Sequence, residues 1–290
     1  MIRAIRLATA TVSIFLAACG NLQMVPVAKM PASLAGKSVA ISDIRPTKDE
    51  VSPRSFEVPN KSIFVVQSSG GSLALGLLLG PIGVLANAAN IDRITKEAGE
   101  SGQQSALYKI DAKEEATLVL SEPISKLINQ RDVEKISLKP YVVFFIAGEK
   151  EGIDVVVKLR AEASIVVNGK PIPWVGNYAA YSKEVLPYDS LTKTMASGRA
   201  ESLRAEIRGA YVELLDELIK DLSAASPPKR DIAWVKSRVL GIGMPGDIDR
   251  NAKGHLVLRN AWNDSFYNAI VFQDDKQYTF DNGPVPRDSK

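Results

Sequence analysis

The sequence has little cysteine and little histidine, with one residue of each in 290. A single cysteine cannot form a disulfide within the chain, and these two residues are too few for a zinc cluster of cysteines and histidines. The one cysteine, Cys19, stands at the end of an apolar segment near the amino terminus. Its position indicates a point of attachment, and only His255 could supply an imidazole for catalysis.

The chain also lacks an excess of one charge. Lysine and arginine number 36 and aspartate and glutamate 33, which gives a formal charge of +3. Two of the positive charges, Arg3 and Arg6, lie in a segment that we expect to be removed, so the mature chain is near +1. This balance argues against a general nucleic-acid binder, which needs many cations to neutralise phosphates. The content of 46% hydrophobic and 24% charged residues is typical of a folded protein.

Residues 1–20 have the organisation of a secretory signal. Arg3 and Arg6 form a positive start, residues 7–16 are apolar, and small residues precede Cys19. The apolar run is too short to span a bilayer core of about 30 Å. We therefore expect residues 1–18 to direct export and to be removed, with an ordinary signal peptide or an uncleaved anchor as the alternatives.

The residues Leu16, Ala17, Ala18 and Cys19 resemble the lipobox of bacterial lipoproteins. The resemblance implies that signal peptidase recognises Leu16, Ala17 and Ala18, cuts before Cys19, and leaves a cysteine whose sulfur carries a diacylglycerol. Two or three acyl chains, such as palmitate, hold a protein on a membrane almost permanently. The resemblance also favours the outer membrane facing the periplasm over the inner membrane, because no aspartate follows Cys19.

The remaining pattern predicts an α+β or α/β fold, with a mainly antiparallel sheet, one long packed helix and a small carboxyl-terminal β module. Asn168 and Gly169 predict a hairpin turn between two strands, because both residues tolerate positive φ. Strands are also predicted at residues 62–67, 116–120, 140–147, 232–240, 255–258, 266–272 and 276–280. The predicted division is a signal peptide at 1–18, a lipidated tether at 19–36, a main domain at 37–223, a linker at 224–231 and the β module at 232–290.

The long helix is predicted to run from about Ser190 or Ser197 to Leu222, since apolar residues recur at three- and four-residue spacing. This stripe comprises Leu203, Ile207, Tyr211, Leu214, Leu218 and Leu222. The opposite side has the composition of a solvated face, with Arg204, Glu206, Arg208, Glu213 and Glu217. The helix is therefore expected to pack across the sheet on one side only.

A glycine-rich apolar segment is the most unusual feature after the lipobox, because residues 62–91 contain no charged side chain. Gly76 and Gly80 have the four-residue spacing that lets two helices approach closely, but Pro81 interrupts the run. The first interpretation is a buried helix or packed hairpin. The other is contact with a membrane or with another subunit through Gly76, Gly80 and Pro81.

Two motifs near the carboxyl end resemble ligand sites only superficially. Gly241, Gly243 and Gly246 match the glycine spacing of a dinucleotide fingerprint, but Pro245 and turn-like residues follow where a helix must begin. Asp247, Asp249 and Asn251 have the spacing of the first calcium ligands in an EF-hand, but Ala252 and Leu258 occupy positions that require glycine and glutamate. A turn held by these side chains is the preferred interpretation.

The chain is therefore expected to act without catalysis, cofactor or metal. The sequence has no G-x-S-x-G motif whose serine His255 could activate, and no pair of carboxylates stands out as a general acid and a general base. We expect a membrane-anchored binding or assembly factor in a transport, secretion or cell-wall complex of the envelope. The alternatives are a homo-oligomeric pore or ring that uses the glycine-rich segment, and an enzyme that acts on the cell wall.

Overall fold

The computed structural model describes residues 30–52, 54–67, 105–128, 134–148, 152–191, 197–223, 231–237, 243–262 and 266–285, with residues 92, 93, 95, 96, 99 and 100. Within these residues, eleven strands form one sheet. The strands are β1 (Val39–Ile41), β2 (Phe56–Val58), β3 (Ile63–Gln67), β4 (Ile136–Gly148), β5 (Gly152–Val167), β6 (Lys170–Leu186), β7 (Ile232–Ser237), β8 (Gly243–Arg250), β9 (Leu256–Trp262), β10 (Phe266–Phe272) and β11 (Tyr278–Val285). The helices in the described part are α1 (Lys48–Val51), α2 (Ala112–Lys126) and α3 (Ser197–Leu222), with short 3-10 turns at Ala32–Leu34, Ala106–Lys109, Tyr188–Leu191 and Asp275–Gln277.

The sheet is mixed, and its carboxyl-terminal strands are part of it. The strand order is β11-β7-β8-β9-β10-β6-β5-β4-β3-β2, and β1 pairs with the start of β4. Strands β1 and β3 run parallel to β4, and β10 runs parallel to β6. The predicted fold class, with a mainly antiparallel sheet and a small separate β module, is therefore wrong. Sequence patterns show which residues form strands, but not that β10 fills the edge of β6, which would otherwise stay unpaired.

The β5–β6 hairpin confirms the predicted turn. Asn168 has φ of 51° and Gly169 has φ of 75°, and Val167 pairs with Lys170 directly across the turn. Two successive residues with positive φ match the right-handed twist of the flanking strands. The two strands then pair as far as Ile153 and Leu186, so this hairpin forms the centre of the sheet.

The predicted long helix is confirmed as α3, and its apolar stripe is buried. The predicted strand at 116–120 is wrong, because these residues lie within α2. Asp111 begins α2 by accepting hydrogen bonds from the backbone N–H groups of Lys113 and Glu114. Such a cap favours a helix, and a short apolar run alone does not distinguish a helix from a strand.

Two of the three hydrophobic clusters in the described part lie on opposite faces of the central strands. The larger core joins α2 and α3 to one face, where Val155, Val157 and Tyr178 point. The second core joins the other face to the carboxyl-terminal strands, through Val156 and Tyr181. Successive residues of each central strand therefore point into different cores, and the β5–β6 hairpin lies between the two cores.

The predicted domain boundaries remain predictions. Residues 224–230 of the predicted linker lie outside the described residues. In the described part, none of the helices is both long and apolar enough to cross a membrane.

Gly246 illustrates how closely the carboxyl-terminal strands approach each other. A Cβ atom at Gly246 would lie 2.7 Å from the backbone oxygen of Arg259 and 2.8 Å from Leu258 Cδ1. Because a backbone atom cannot move aside cheaply, Gly246→Ala is expected to lower the free energy of unfolding by about 1–3 kcal/mol. Gly209→Ala in α3 is the matched control, because its Cβ meets nothing within 4 Å, and it is expected to stabilise by up to about 1 kcal/mol. Urea unfolding of both variants would measure the difference, and equal effects would contradict this packing.

Candidate functional site

A row of carboxylates on α3 faces the carboxyl-terminal strands. Glu213, Glu217 and Asp221 recur every fourth residue, which places them on one side of the helix. Glu213 is 3% exposed and Glu217 is 0% exposed. The prediction that Glu213 and Glu217 belong to a solvated face is therefore wrong, because the β8–β9 turn, β9 and the residue that follows β10 cover this side of the helix.

Other residues of the predicted solvated face also contact neighbouring elements. Arg208 Nε donates to Glu115 Oε2 in α2 at 2.6 Å, and Glu206 accepts a hydrogen bond from the Ser182 hydroxyl in β6. Glu115 is itself buried. These contacts hold α3 against α2 and β6 by charge as well as by its apolar stripe.

Arg259 of β9 is the main positive partner of these three carboxylates, which form the acidic row of α3. Its side chain is 3% exposed, forms an ion pair with Glu217, and donates from Nη1 to Asp221 Oδ1 at 2.8 Å. Tyr178 donates from its hydroxyl to the other oxygen of Asp221 at 2.8 Å. Burial lowers the pKa of Arg259, but arginine starts so far above neutrality that it stays charged. Burial and the nearby Asp221 raise the pKa of Tyr178 well above its usual range, so the phenol keeps its proton.

Glu213 receives several donors from the neighbouring strands and turn. His255 Nδ1 lies 2.8 Å from Oε2, Asn251 Nδ2 donates to the same oxygen at 2.7 Å, and Lys253 Nζ and Gln273 Nε2 donate to Oε1 at 2.9 Å and 3.1 Å. Burial acts to raise the pKa of Glu213, but the hydrogen bonds from His255 and Lys253 outweigh it and lower the pKa. The carboxylate is thus ionised and can only accept, so Nδ1 of His255 carries a proton towards it.

His255 also lines a polar pocket of about 320 Å³. The pocket lies between the β8–β9 turn, the end of β10 and β6, and its lining comprises Lys183, Arg250, Gly254, His255, Phe272, Gln273, Asp274 and Asp275. Asp274 caps the turn that follows β10, and Asp275 accepts a hydrogen bond from the Tyr278 hydroxyl at 2.7 Å. Cationic and anionic side chains stand side by side, which suits a ligand that carries groups of both polarities.

Other charged groups in the described part are paired in ways that join elements. Lys139 lies 2.9 Å from Glu50 and 3.0 Å from Glu162, which links β4 to α1 and β5. Arg45 meets the capping carboxylate of Asp111 with both of its terminal nitrogens at 3.0 Å. These contacts account for the charges through local structure, and none of them opens into the pocket beside His255.

The residues predicted for lipidation and subunit contact cannot be placed. Leu16, Ala17, Ala18 and Cys19, and likewise Gly76, Gly80 and Pro81, lie outside the described residues. Gly243 and Gly246 lie in β8, so a strand follows the glycines where turns were predicted. The helix of a dinucleotide site is not formed there, since residues 243–250 are extended.

The acidic motif that follows has a structural use. Asp247 and Asp249 lie in β8, and Asn251 Oδ1 accepts from the backbone N–H groups of Lys253 and His255 at 3.0 Å each. Asn251 therefore holds the turn that presents His255, whereas Asp247 and Asp249, which were predicted to share in the turn, lie in the strand before it. Among the described residues, no group of three or more His, Cys, Asp or Glu side chains could hold a metal ion.

The acidic row was missed in the sequence, although two signals were present. Glu213, Glu217 and Asp221 repeat beside the apolar stripe and not opposite it, and Arg259 interrupts the apolar run of residues 256–262. An arginine inside a buried strand requires an anionic partner, and a helix with carboxylates at four-residue spacing supplies one.

Comparison with known proteins identifies no relative. No family model matches the chain, and neither a curated protein nor a solved structure matches it. The site is therefore interpreted from its own contacts.

The lowered pKa of Glu213 makes stability depend on pH in a defined direction. Ionised Glu213 stabilises the fold above its unfolded value near 4.5, and this contribution is lost as the pH falls through the lower folded pKa. Glu213→Gln is therefore expected to cost about 2 kcal/mol at pH 7, with a difference from the native chain that shrinks below pH 4.5. Urea unfolding between pH 3 and 7 would measure it. Glu122→Gln, at an exposed position of α2, is the control and should leave the curve unchanged, whereas a Glu213→Gln cost that is the same at pH 3 and 7 would contradict the interpretation.

Proposed function

We propose that the chain is a lipid-anchored protein of the bacterial envelope that acts as a non-enzymatic binding or assembly factor for a transport, secretion or cell-wall complex. The anchor is the lipobox-like Leu16 to Cys19 sequence, and outer-membrane attachment facing the periplasm is part of the proposal. The polar pocket beside His255 is the proposed contact for the partner.

The observation that carries the proposal is the position of the pocket relative to the chain's point of entry. The first described residues, Met30 to Lys37, lie where α3 ends, since Gly36 N donates to Leu222 O at 3.1 Å. Lys183 of the pocket lies twelve residues beyond Pro171, which stands beside the β5–β6 turn, about 40 Å further along β6. Glu213, which binds His255 at the pocket edge, lies nine residues before Leu222, about 14 Å along α3, so the pocket is apart from the entering chain and accessible to a partner.

The form of the pocket also favours binding. Its charges are held by local contacts, such as the hydrogen bond from Arg250 Nη1 to Gly254 O at 2.6 Å. Side chains that are fixed before a ligand arrives lose little entropy on binding. A partner segment with both an anionic and a hydrogen-bond-donating group would meet Lys183 or Arg250 on one side and Asp274 on the other.

The pairing of His255 with Glu213 favours an enzyme as the second candidate. A buried carboxylate that fixes one ring nitrogen of a histidine is how many enzymes orient a general base. An enzyme acting on the cell wall would lose its activity in His255→Gln. A binding factor would keep its fold and attachment in that variant and would show no wall-degrading activity in either form.

The direct test is affinity capture from crosslinked, detergent-solubilised membranes, with a charge reversal in the pocket. Lys183→Glu is expected to lose the partner that the native chain recovers while it stays on the membrane, because the variant repels the anionic group that Lys183 would meet. Cys19→Ala is expected to lose its attachment to the membrane. Mass spectrometry of the recovered complex and of its amino-terminal peptide measures both effects.

Lys126→Glu provides the matched control for this test. It makes the same charge change at an exposed position of α2, 70% exposed, and should keep both partner and membrane. Loss of the partner in Lys126→Glu as well would show that total charge decides capture. Recovery of the native chain alone as a large homo-oligomer would contradict the adaptor proposal and favour a ring that uses Gly76 and Gly80.

A further inference from the structure

The β5–β6 hairpin extends beyond the strands on both sides of it. Strand β4 pairs with β5 only from Glu162 back towards the start of β5, and β10 pairs with β6 only from Tyr178 onward. Among the described residues, the segment from Ala163 to Asn177 therefore has its strand pairing only within the hairpin. Trp174 within this segment is still buried in the larger core, so the hairpin tip is defined as residues 166–173, which are all exposed.

The end of this tip is apolar and exposed. Residues 166–173 are all exposed, with Val166 at 69%, Val167 at 42% and Ile172 at 41%. Ile165 stands opposite Ile172 on one face of the hairpin and Val166 opposite Pro171 on the other, so the end of the hairpin presents apolar residues on both faces. Exposed apolar residues grouped in this way mark a contact surface more often than isolated ones do.

The charge of the tip favours a negatively charged surface. No aspartate or glutamate occurs between residues 163 and 183, and Lys170 stands at the turn itself. Beside the tip, a groove of about 200 Å³ is also lined by Lys37, Lys135 and Glu134. Lys170 and these three side chains together carry a net positive charge, which an anionic phospholipid headgroup would complement.

The tip lies at the end of the body where the tether enters. Ser33, Leu34 and Lys37, close to the first described residue, line the same groove as Ile165 and Val166. Cys19 precedes Met30 by eleven residues, so acyl chains on Cys19 cannot be more than about 40 Å from Met30. A bilayer that holds those chains is therefore within reach of the tip.

We propose that the hairpin tip is a second membrane contact, in which Val166, Val167 and Ile172 enter the headgroup region and Lys170 lies against anionic phosphates. This inference rests on the proposed function, because the contact needs the anchor at Cys19. The three side chains alone bind a bilayer weakly, but the tether keeps them at a high local concentration beside it. Two points of attachment hold the body at one orientation, with the pocket beside His255 facing away from the membrane.

The experiment uses a fluorophore on the mature lipidated chain in vesicles. Val166→Cys gives one reactive thiol, because the sulfur of acylated Cys19 is already a thioether. The labelled protein is reconstituted in vesicles of phosphatidylethanolamine and phosphatidylglycerol that contain nitroxide-labelled lipid. Quenching at residue 166 is expected to exceed that of a control label by at least about threefold, because a side chain in the interface lies within 5–10 Å of the acyl boundary.

The control label is Glu184→Cys. Glu184 is exposed on the same strand β6, about 40 Å from the tip. Adding Ile172→Asp and Lys170→Glu to the Val166→Cys chain should bring its quenching close to the control value. Circular dichroism confirms that each variant is folded, which is expected since all these positions are exposed.

The outcomes separate this inference from the proposed function. If mass spectrometry finds the amino-terminal peptide acylated but quenching is equally weak for labels at residues 166 and 184, the membrane contact is overturned and the anchor is not. The same result is expected if the tip binds another protein. A peptide without acylation at Cys19 would contradict the proposed function, and the inference would fail with it.

Discussion

The structure depends on the buried ion pair between Glu217 of α3 and Arg259 of β9. Both residues are almost fully buried, at 0% and 2% exposed. Two charges removed from water are costly unless each finds the other and further hydrogen bonds, so the pair favours the placement of α3 over the carboxyl-terminal strands in which the two side chains meet. Asp221 and Tyr178 complete this network and extend it to the central hairpin. The helix therefore joins the two halves of the sheet and does not merely cover one of them.

The same row of carboxylates also positions the candidate site. One turn before Glu217, Glu213 orients His255 at the edge of the pocket, and Asn251 shapes the turn that carries it. One turn after Glu217, the helix approaches its end beside the entering chain. The entering chain thus lies at the end of α3, and the pocket lies about two turns further back along the helix.

The sequence predicted local structure well where one signal decides it. The Asn168–Gly169 turn and the apolar stripe of α3 each follow from backbone preference or periodicity. Strand partners could not be predicted, because β10 joins β6 through pairing between residues about 90 positions apart. The acidic row was taken for a solvated face because a carboxylate looks the same in sequence whether water or Arg259 is its partner. The lipobox-like residues lie outside the described structure, so their role remains a prediction from resemblance.

Native-state hydrogen exchange on the chain with Arg259→Met tests most directly whether this ion pair holds the two halves together. Loss of Arg259 leaves the buried Glu217 with Lys220 as its remaining cation, at 2.7 Å, and removes the contact to Asp221, so amides of α3, β6 and β10 should lose protection together, by about 3 kcal/mol. Replacing Glu217 by leucine in the same chain should restore most of that protection. Loss of protection confined to β9, or full protection in the single variant, would contradict the claim and would mean that the carboxyl-terminal strands are held by hydrophobic packing alone.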